Sequence, residues 1–241
     1  MKPHQDAVGR EFLDFHRGKP SYEIVERDDG YVEPTPGVKS YFSEYRNWPP
    51  DERAAIGYAR GHVLDIGCGA GRHSLYLQKR GLRILPIDVS PLAVKVCRLR
   101  GLRSSRVMSI TRIPPTLGPF DTLLMLGHNF GLFGSFERAR WLLRKFRGIT
   151  TDRARIIAQT VDPYDTQNPW HLRYHRRNRR RGRMPGQIRL RVRYQGYATP
   201  WFDYLFVSKS EMKRILAGSG WKVKRFIDFK GPVYVAIIEK E

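Results

Sequence analysis

HVLDIGCGAGRHSLYL (62–77) is the stretch on which the reading of this chain turns. Its first five residues are apolar around Asp65, with β-branched Val63 and Ile66, the composition of a buried strand. Gly67, Gly69 and Gly71 follow at alternate positions, and residues 72–80 then read as a helix closed by Gly81. A strand entering a helix through glycines leaves free N–H groups at the helix start and no Cβ to keep a ligand away. LRILPID (82–88) is a second strand, and Asp88 ends it 17 residues after Gly71. In a doubly wound sheet that carboxylate lies beside the same crevice, placed to accept hydrogen bonds from two ribose hydroxyls.

The alternation continues outward. Ser90-Pro91 opens the helix LAVKVCRLR, RVMSI (106–110) and FDTLLMLG (120–127) are strands three and four, and RIIAQTV (155–161) is strand five. Between the last two, Ser135 caps a helix whose apolar residues Phe136, Ala139, Leu142, Leu143 and Phe146 fall on one face. Strands alternating with helices predict a parallel sheet covered on both faces. Farther on, Ser208 and Glu211 form a capping box, and WKVKRFIDF (221–229) and PVYVAIIEK (232–240) are joined by Lys230-Gly231 alone, which permits only an antiparallel pair.

Two segments lie outside this rhythm. Residues 1–50 read as an irregular leader or lid with turns at Asp28-Asp29-Gly30 and Pro34-Thr35-Pro36-Gly37 and short helices at YEIVE and KSYFSEYR; Asp51 is expected to cap the helix ERAAIGYAR that follows. Residues 162–207 read as an insertion into the domain spanning 51–241, with a basic stretch and two candidate strands, QIRLRVRYQG and ATPWFDYLFVS.

Composition narrows the setting. Hydrophobic residues are 41% of 241, enough for a sizeable core, yet no apolar run approaches the ~20 residues of a membrane span. The N-terminus has no apolar signal core, and Cys68 and Cys97 form neither a disulfide framework nor a metal-ligand pattern, so a reduced cytoplasmic protein is expected. A net charge of +21 favours anionic partners without naming one.

The dinucleotide fingerprint fails here, because Arg72 or Ser74 stands where its last glycine would be. Asp65 before the loop is awkward beside a pyrophosphate but suits the ammonium, and the sulfonium, of S-adenosylmethionine. VLDIGCGAGRHSLYL and GLRILPIDVSPLAV resemble motifs I and II of class I methyltransferases, and the final hairpin resembles that family's reversed last strand. The resemblance covers roughly residues 51–161 and 208–241. It implies a Rossmann-like, mostly parallel seven-stranded sheet with S-adenosyl-L-methionine as cofactor. It also implies that Asp65, Gly67, Cys68 and Gly69 line the methionine end, Gly71 admits helix packing, Asp88 holds the ribose and Val89 lies on the adenine. The acid that relatives often place after strand three is replaced by Ser109, with Ile110 beside it.

Methyl transfer from a sulfonium needs positioning and exclusion of water, and a base only where the acceptor must lose a proton. His128, in the loop after strand four, is the candidate base; Asn129, Tyr41, Tyr45, Asp162 and Tyr164 are candidate acceptor contacts. The same His128 and Asn129 suit hydrogen bonding of their own loop, and the leader aromatics suit a staple on the core. The loop lacks the N/D-P-P-Y/F signature of amino-group nucleic-acid methyltransferases, and neither cysteine follows proline as cytosine C5 chemistry requires. A small-molecule acceptor, at O or N, is the leading expectation. RNA is the alternative, because ten arginines and no lysine lie between His171 and Arg193, interleaved with aromatics. Those arginines equally suit the solvated face of a strand or helix, or a contact in a homo-oligomer.

Overall fold

The computed structural model describes residues 2–35, 37–228 and 230–241. Its first half holds α1 (Ala7–His16), β1 (Ile24–Arg27), β2 (Val32–Pro34), α2 (Pro50–Ile56), β3 (His62–Ile66), α3 (Arg72–Lys79), β4 (Arg83–Asp88), α4 (Pro91–Leu99) and β5 (Arg106–Val107). Then come β6 (Phe120–Met125), α5 (Phe136–Arg147), β7 (Thr150–Val161), α6 (Pro169–Arg180), β8 (Gln187–Tyr194) and β9 (Tyr197–Ala198). The chain ends with β10 (Phe202–Leu205), α7 (Lys209–Leu216), β11 (Trp221–Asp228) and β12 (Val233–Lys240). Pro36 of the second leader turn and Phe229 of the expected penultimate strand lie outside the described residues.

Seven strands form one sheet in the order β11-β12-β7-β6-β3-β4-β5. β3, β4 and β5 are parallel, as are β6 and β7, whereas β12 runs antiparallel to both β7 and β11. The Rossmann-like sheet with a reversed terminal hairpin is therefore as the sequence predicts. The third strand is shorter than RVMSI, because the Ser109 hydroxyl accepts the Thr111 N–H and bends the chain into a 3-10 turn at Ile110–Arg112.

The chain divides into two compact units. The first comprises Met1–Trp48, His62–Ile113 and Leu190–Phe202. Its core gathers Phe12, Leu13, Val38, Ala70, Ala93 and Val96, so α1 packs on α4. Asp6 locks this pairing: it caps α1 through the Gly9 N–H (3.2 Å) and accepts from the Ser90 hydroxyl (2.6 Å) and the Leu92 N–H (3.0 Å) at the start of α4. The leader is not the irregular segment expected. YEIVE, read as a short helix, supplies strand β1, because β-branched Ile24 and Val25 find partners on both sides. β2 pairs with one edge through the Asp28-Asp29-Gly30 turn, and β8 pairs antiparallel with the other. Glu26 there faces Arg191, whose guanidinium donates to both its oxygens at 2.8 and 3.1 Å.

The second unit comprises Pro49–Gly61, Pro114–Arg189 and Asp203–Glu241. Ser135 caps α5 as expected, with Ala139, Leu142, Leu143 and Phe146 buried. The Ser208–Glu211 capping box on α7 is complete in both directions. Asp51 is not the expected N-cap of α2. Pro49 holds that position with Pro50 first in the helix, and Asp51 turns inward to the Gln159 side chain instead.

Candidate functional site

In the first unit β3 delivers Asp65 and runs out into the glycine turn. Gly69 and Gly71 take left-handed φ values of +53° and +80°. A Cβ on Gly69 would touch the rings of Phe12 and Tyr41 at 3.4 Å, an ordinary van der Waals contact, so it is the left-handed φ that favours glycine beneath those aromatics. A Cβ on Gly71 would meet Leu102 at 2.7 Å and the Cys97 sulfur at 3.0 Å. Gly71→Ala should thus combine a left-handed penalty of ~1–2 kcal/mol with overpacking of about 1–3 kcal/mol. A fall in Tm of roughly 5–12 °C by differential scanning calorimetry is the expected result; an unchanged Tm would refute the packing role.

Asp65 is buried, and its Oδ2 accepts from the Ser74 hydroxyl at 2.6 Å. Burial raises its pKa against the opposing influence of His73, Ser74 and Arg72. Asp88, at the tip of β4, accepts the Gly69 N–H at 3.0 Å on one oxygen and the Ser90 N–H at 2.9 Å on the other. It therefore ties the glycine turn to the start of α4 while each oxygen keeps a lone pair for a ligand. Desolvation again raises its pKa, the two N–H bonds opposing and the Asp6 and Asp65 charges adding. Two carboxylates short of positive charge are suited to a cationic guest.

Beyond Asp88 lies an open cavity of about 640 Å³ lined by Val89, Val107, Met108, Ser109, Thr111, Arg112 and Pro200. Val89 and Ser109, the expected adenine contacts, both line this cavity. Ser109 spends its hydroxyl partly on Thr111, at 2.9 Å. Ile110 is buried and does not line this cavity. Arg112 and Pro200 were missed, and Pro200 arrives from the insertion with no local signal of its role. The Cys68 side chain faces Cys97 (Sγ–Sγ 3.8 Å) and packs with Leu102 and Leu75, so Cys68 serves the turn through its backbone.

The leader aromatics separate. Tyr41 lies against Phe12, ring centroids 5.1 Å apart, above Gly69, whereas Tyr45 stacks on Tyr76 of α3 at 4.5 Å. Trp48 is buried against His73, its indole N–H bonded to the Ser43 carbonyl. Tyr45 and Trp48 thus form the staple on the core, and Tyr41 alone stays with the cradle. Glu11, next to Phe12, was not singled out. It is fully buried, with Glu23 and Ser21 as its polar neighbours. Burial and the neighbouring Glu23 carboxylate push its pKa well above the ordinary range.

In the second unit the loop after β6 is held on three sides. The Gln159 side-chain oxygen accepts the Gly127 N–H at 2.7 Å and the His128 N–H at 3.2 Å. Its amide nitrogen donates to Asp51 at 3.0 Å, and the Tyr204 hydroxyl donates to the His128 carbonyl at 2.8 Å. His128 adopts a left-handed φ of +64°, a strained conformation for a non-glycine residue that these bonds sustain. Asn129 begins the 3-10 turn that follows, anchored by buried Phe130 and Phe133. Asp162 accepts the Tyr164 N–H at 2.9 Å in the turn after β7. The Tyr164 hydroxyl donates to Glu211 at 2.7 Å, and burial with that carboxylate holds its phenol at about 12. Tyr164 is thereby committed to α7. Gln159, Asp51 and Tyr204 are the residues that sequence reasoning missed, since nothing local to them names the loop they hold.

Residues 63–150 match the family model described as methyltransferase domain. A SAM-dependent methyltransferase from Bacteroides fragilis, solved in complex with S-adenosyl-L-homocysteine, is 28% identical, with a TM-score of 0.85 over 100% of this chain and 97% of its own. The chain carries an S-adenosylmethionine-dependent methyltransferase domain. Among curated relatives, a ubiquinone biosynthesis O-methyltransferase from Xanthomonas oryzae is 38% identical over 76 residues, 29% of this chain. That match covers only 32% of the relative's length. The 1,6-didemethyltoxoflavin-N1-methyltransferase of Burkholderia thailandensis, at 14% identity and TM-score 0.53, shares the fold. The methyltransferase domain so identified contains the glycine turn, Asp65, Asp88, Ser109 and the His128 loop.

Proposed function

We propose that the chain transfers the methyl group of S-adenosylmethionine to an oxygen or nitrogen atom of a small-molecule acceptor. The likeness along the whole chain to the Bacteroides fragilis enzyme solved with S-adenosyl-L-homocysteine carries this reading. The cradle fits the donor: bare backbone at Gly69, two carboxylates raised by burial, and an open cavity beyond Asp88 for a flat base. When bound, the donor would supply an activated methyl group, its sulfonium sulfur keeping the electron pair of the broken S–CH3 bond and leaving as a neutral thioether.

The chain's own residues do the rest. Asp65 balances the positive charge near the turn, Asp88 accepts from the ribose, and Val89 and Ser109 border the base. Phe12 and Tyr41 exclude water above Gly69. His128 accepts the proton that an acceptor hydroxyl or amine must lose, and Gln159 and Tyr204 hold its backbone for that task. The relatives' O-methyltransferase names support a hydroxyl acceptor. Cys68 and Cys97, free thiols 3.8 Å apart, suit a reducing compartment such as the cytoplasm. Among the described residues no helix is long and apolar enough to cross a membrane.

Incubation with methyl-labelled S-adenosylmethionine and a fractionated cell extract tests the reading: label should enter the metabolite fraction. Label confined to RNA or protein would overturn the acceptor class. With the acceptor so found, His128→Ala should lower kcat by about 10²–10⁴-fold while leaving donor affinity unchanged. An unaltered kcat would remove His128 from proton transfer.

A further inference from the structure

The arginine-rich segment divides in two on folding. Its strand half is neutralised: Arg183 and Arg189 reach Asp203 at 2.9 and 3.6 Å, and Arg191 and Arg193 reach Glu26 at 2.8 and 3.6 Å. Four arginines of its helical half are not. Among the described residues no carboxylate pairs with Arg173, Arg176, Arg180 or Arg181, all of them exposed. With Arg177 these four stand at i, i+3, i+4, i+7 and i+8, on one face of α6 and its C-cap, and together they line an open concavity of about 270 Å³.

The helix presenting them is firmly held. Asn168 caps it at the Trp170 N–H (2.9 Å), and Tyr174, His175 and Asn178 are buried. The Asn178 amide donates to the Pro185 and Gln187 carbonyls at 3.0 and 2.7 Å. Like charges three and four residues apart destabilise a helix, and its dipole compensates only in the last turn. An anion in the groove removes that repulsion. A single phosphate would engage only part of it, because eight residues of helix extend about 12 Å. That length matches roughly three successive phosphates of one strand, at about 3.4 Å of axial rise each. Guanidinium planes suit bidentate phosphate contact, and exposed Trp170, with Arg173 stacked over it at 4.2 Å, continues the face with a surface on which a base can lie.

We propose that the arginine face of α6 binds the phosphate backbone of a nucleic acid, as an interaction surface separate from the question of the methyl acceptor. Fluorescence anisotropy with a labelled oligouridylate tests it. Three phosphate contacts on a single strand give a log–log salt slope of about −2, so wild-type affinity should fall about 15- to 20-fold between ~50 and ~200 mM salt. Arg176→Gln/Arg180→Gln should weaken binding at least about tenfold and flatten the slope by about one to two. Arg144→Gln/Lys145→Gln removes the same charge from exposed positions of α5 and should change affinity by less than about twofold. Thermal melts should fall in neither double variant, and S-adenosylmethionine affinity should be unchanged in both. Equal losses in the two variants would mean that net charge alone acts, and would overturn the proposal. So would wild-type binding by Arg176→Gln/Arg180→Gln, or tighter binding to anionic phospholipid vesicles than to the oligouridylate.

Discussion

Asp88→Ala should reduce S-adenosylmethionine affinity by roughly 10²–10⁴-fold in calorimetric titration. The carboxylate holds the Gly69 and Ser90 N–H groups, so its removal loosens the turn and leaves two donors searching for partners. It also removes the acceptor for the ribose hydroxyls. Each charge-assisted hydrogen bond contributes about 1.5–3 kcal/mol, and 1.4 kcal/mol is tenfold in affinity. Asp88→Asn keeps the shape and one acceptor oxygen but turns its NH₂ toward one of the two backbone N–H groups, so an intermediate loss is expected. Donor binding indistinguishable from wild type in the alanine variant, with the fold intact by circular dichroism, would remove Asp88 from the cradle.

Glu11→Gln should stabilise the protein, and the gain should grow with pH. Burial, then the Glu23 charge, raise the Glu11 pKa in the folded state, and burial raises that of Glu23 as well. Above the unfolded value of 4.5 the folded protein therefore holds more protons than the unfolded chain. Unfolding then releases protons, so stability falls as pH rises from about 4.5 until the raised folded value is passed. An amide of the same shape takes no part in this titration. The variant should match wild type within ~1 kcal/mol near pH 5 and exceed it by on the order of 2–3 kcal/mol at pH 9. Denaturant unfolding at the two pH values measures the difference. A variant less stable at pH 9 would show that the ionised carboxylate has a partner that it needs.

The cofactor side of the site was legible because its signals are local. Asp65, the glycine turn and Asp88 lie within 24 residues, and each is tied to a backbone requirement that a sequence states directly: a left-handed turn, a strand tip, a helix start. Residues whose roles depend on distant partners were opaque. Ile24 and Val25 read as helical until β8 supplies their pairing. Asp51 resembled a cap, and only Gln159, 108 residues later, shows what it holds. Glu11 sits on an amphipathic helix where a carboxylate is ordinarily solvated, and its burial follows from the packing of α1 on α4. The arginine segment was visible as composition alone. Which of its charges are already answered required the positions of Glu26 and Asp203.

The pairing of β1 with β8 also bears on the order in which the chain can fold. Glu26 and Arg191 are 165 residues apart. On a ribosome adding about 5–20 residues per second, β1 waits roughly 10–30 s for its neighbour on that side. Through that interval Ile24 and Val25 lie on an open edge whose only available partner is the short β2, the condition in which nascent strands pair with the wrong chain. The leader is thus made well before its partner strand and is among the last segments secured.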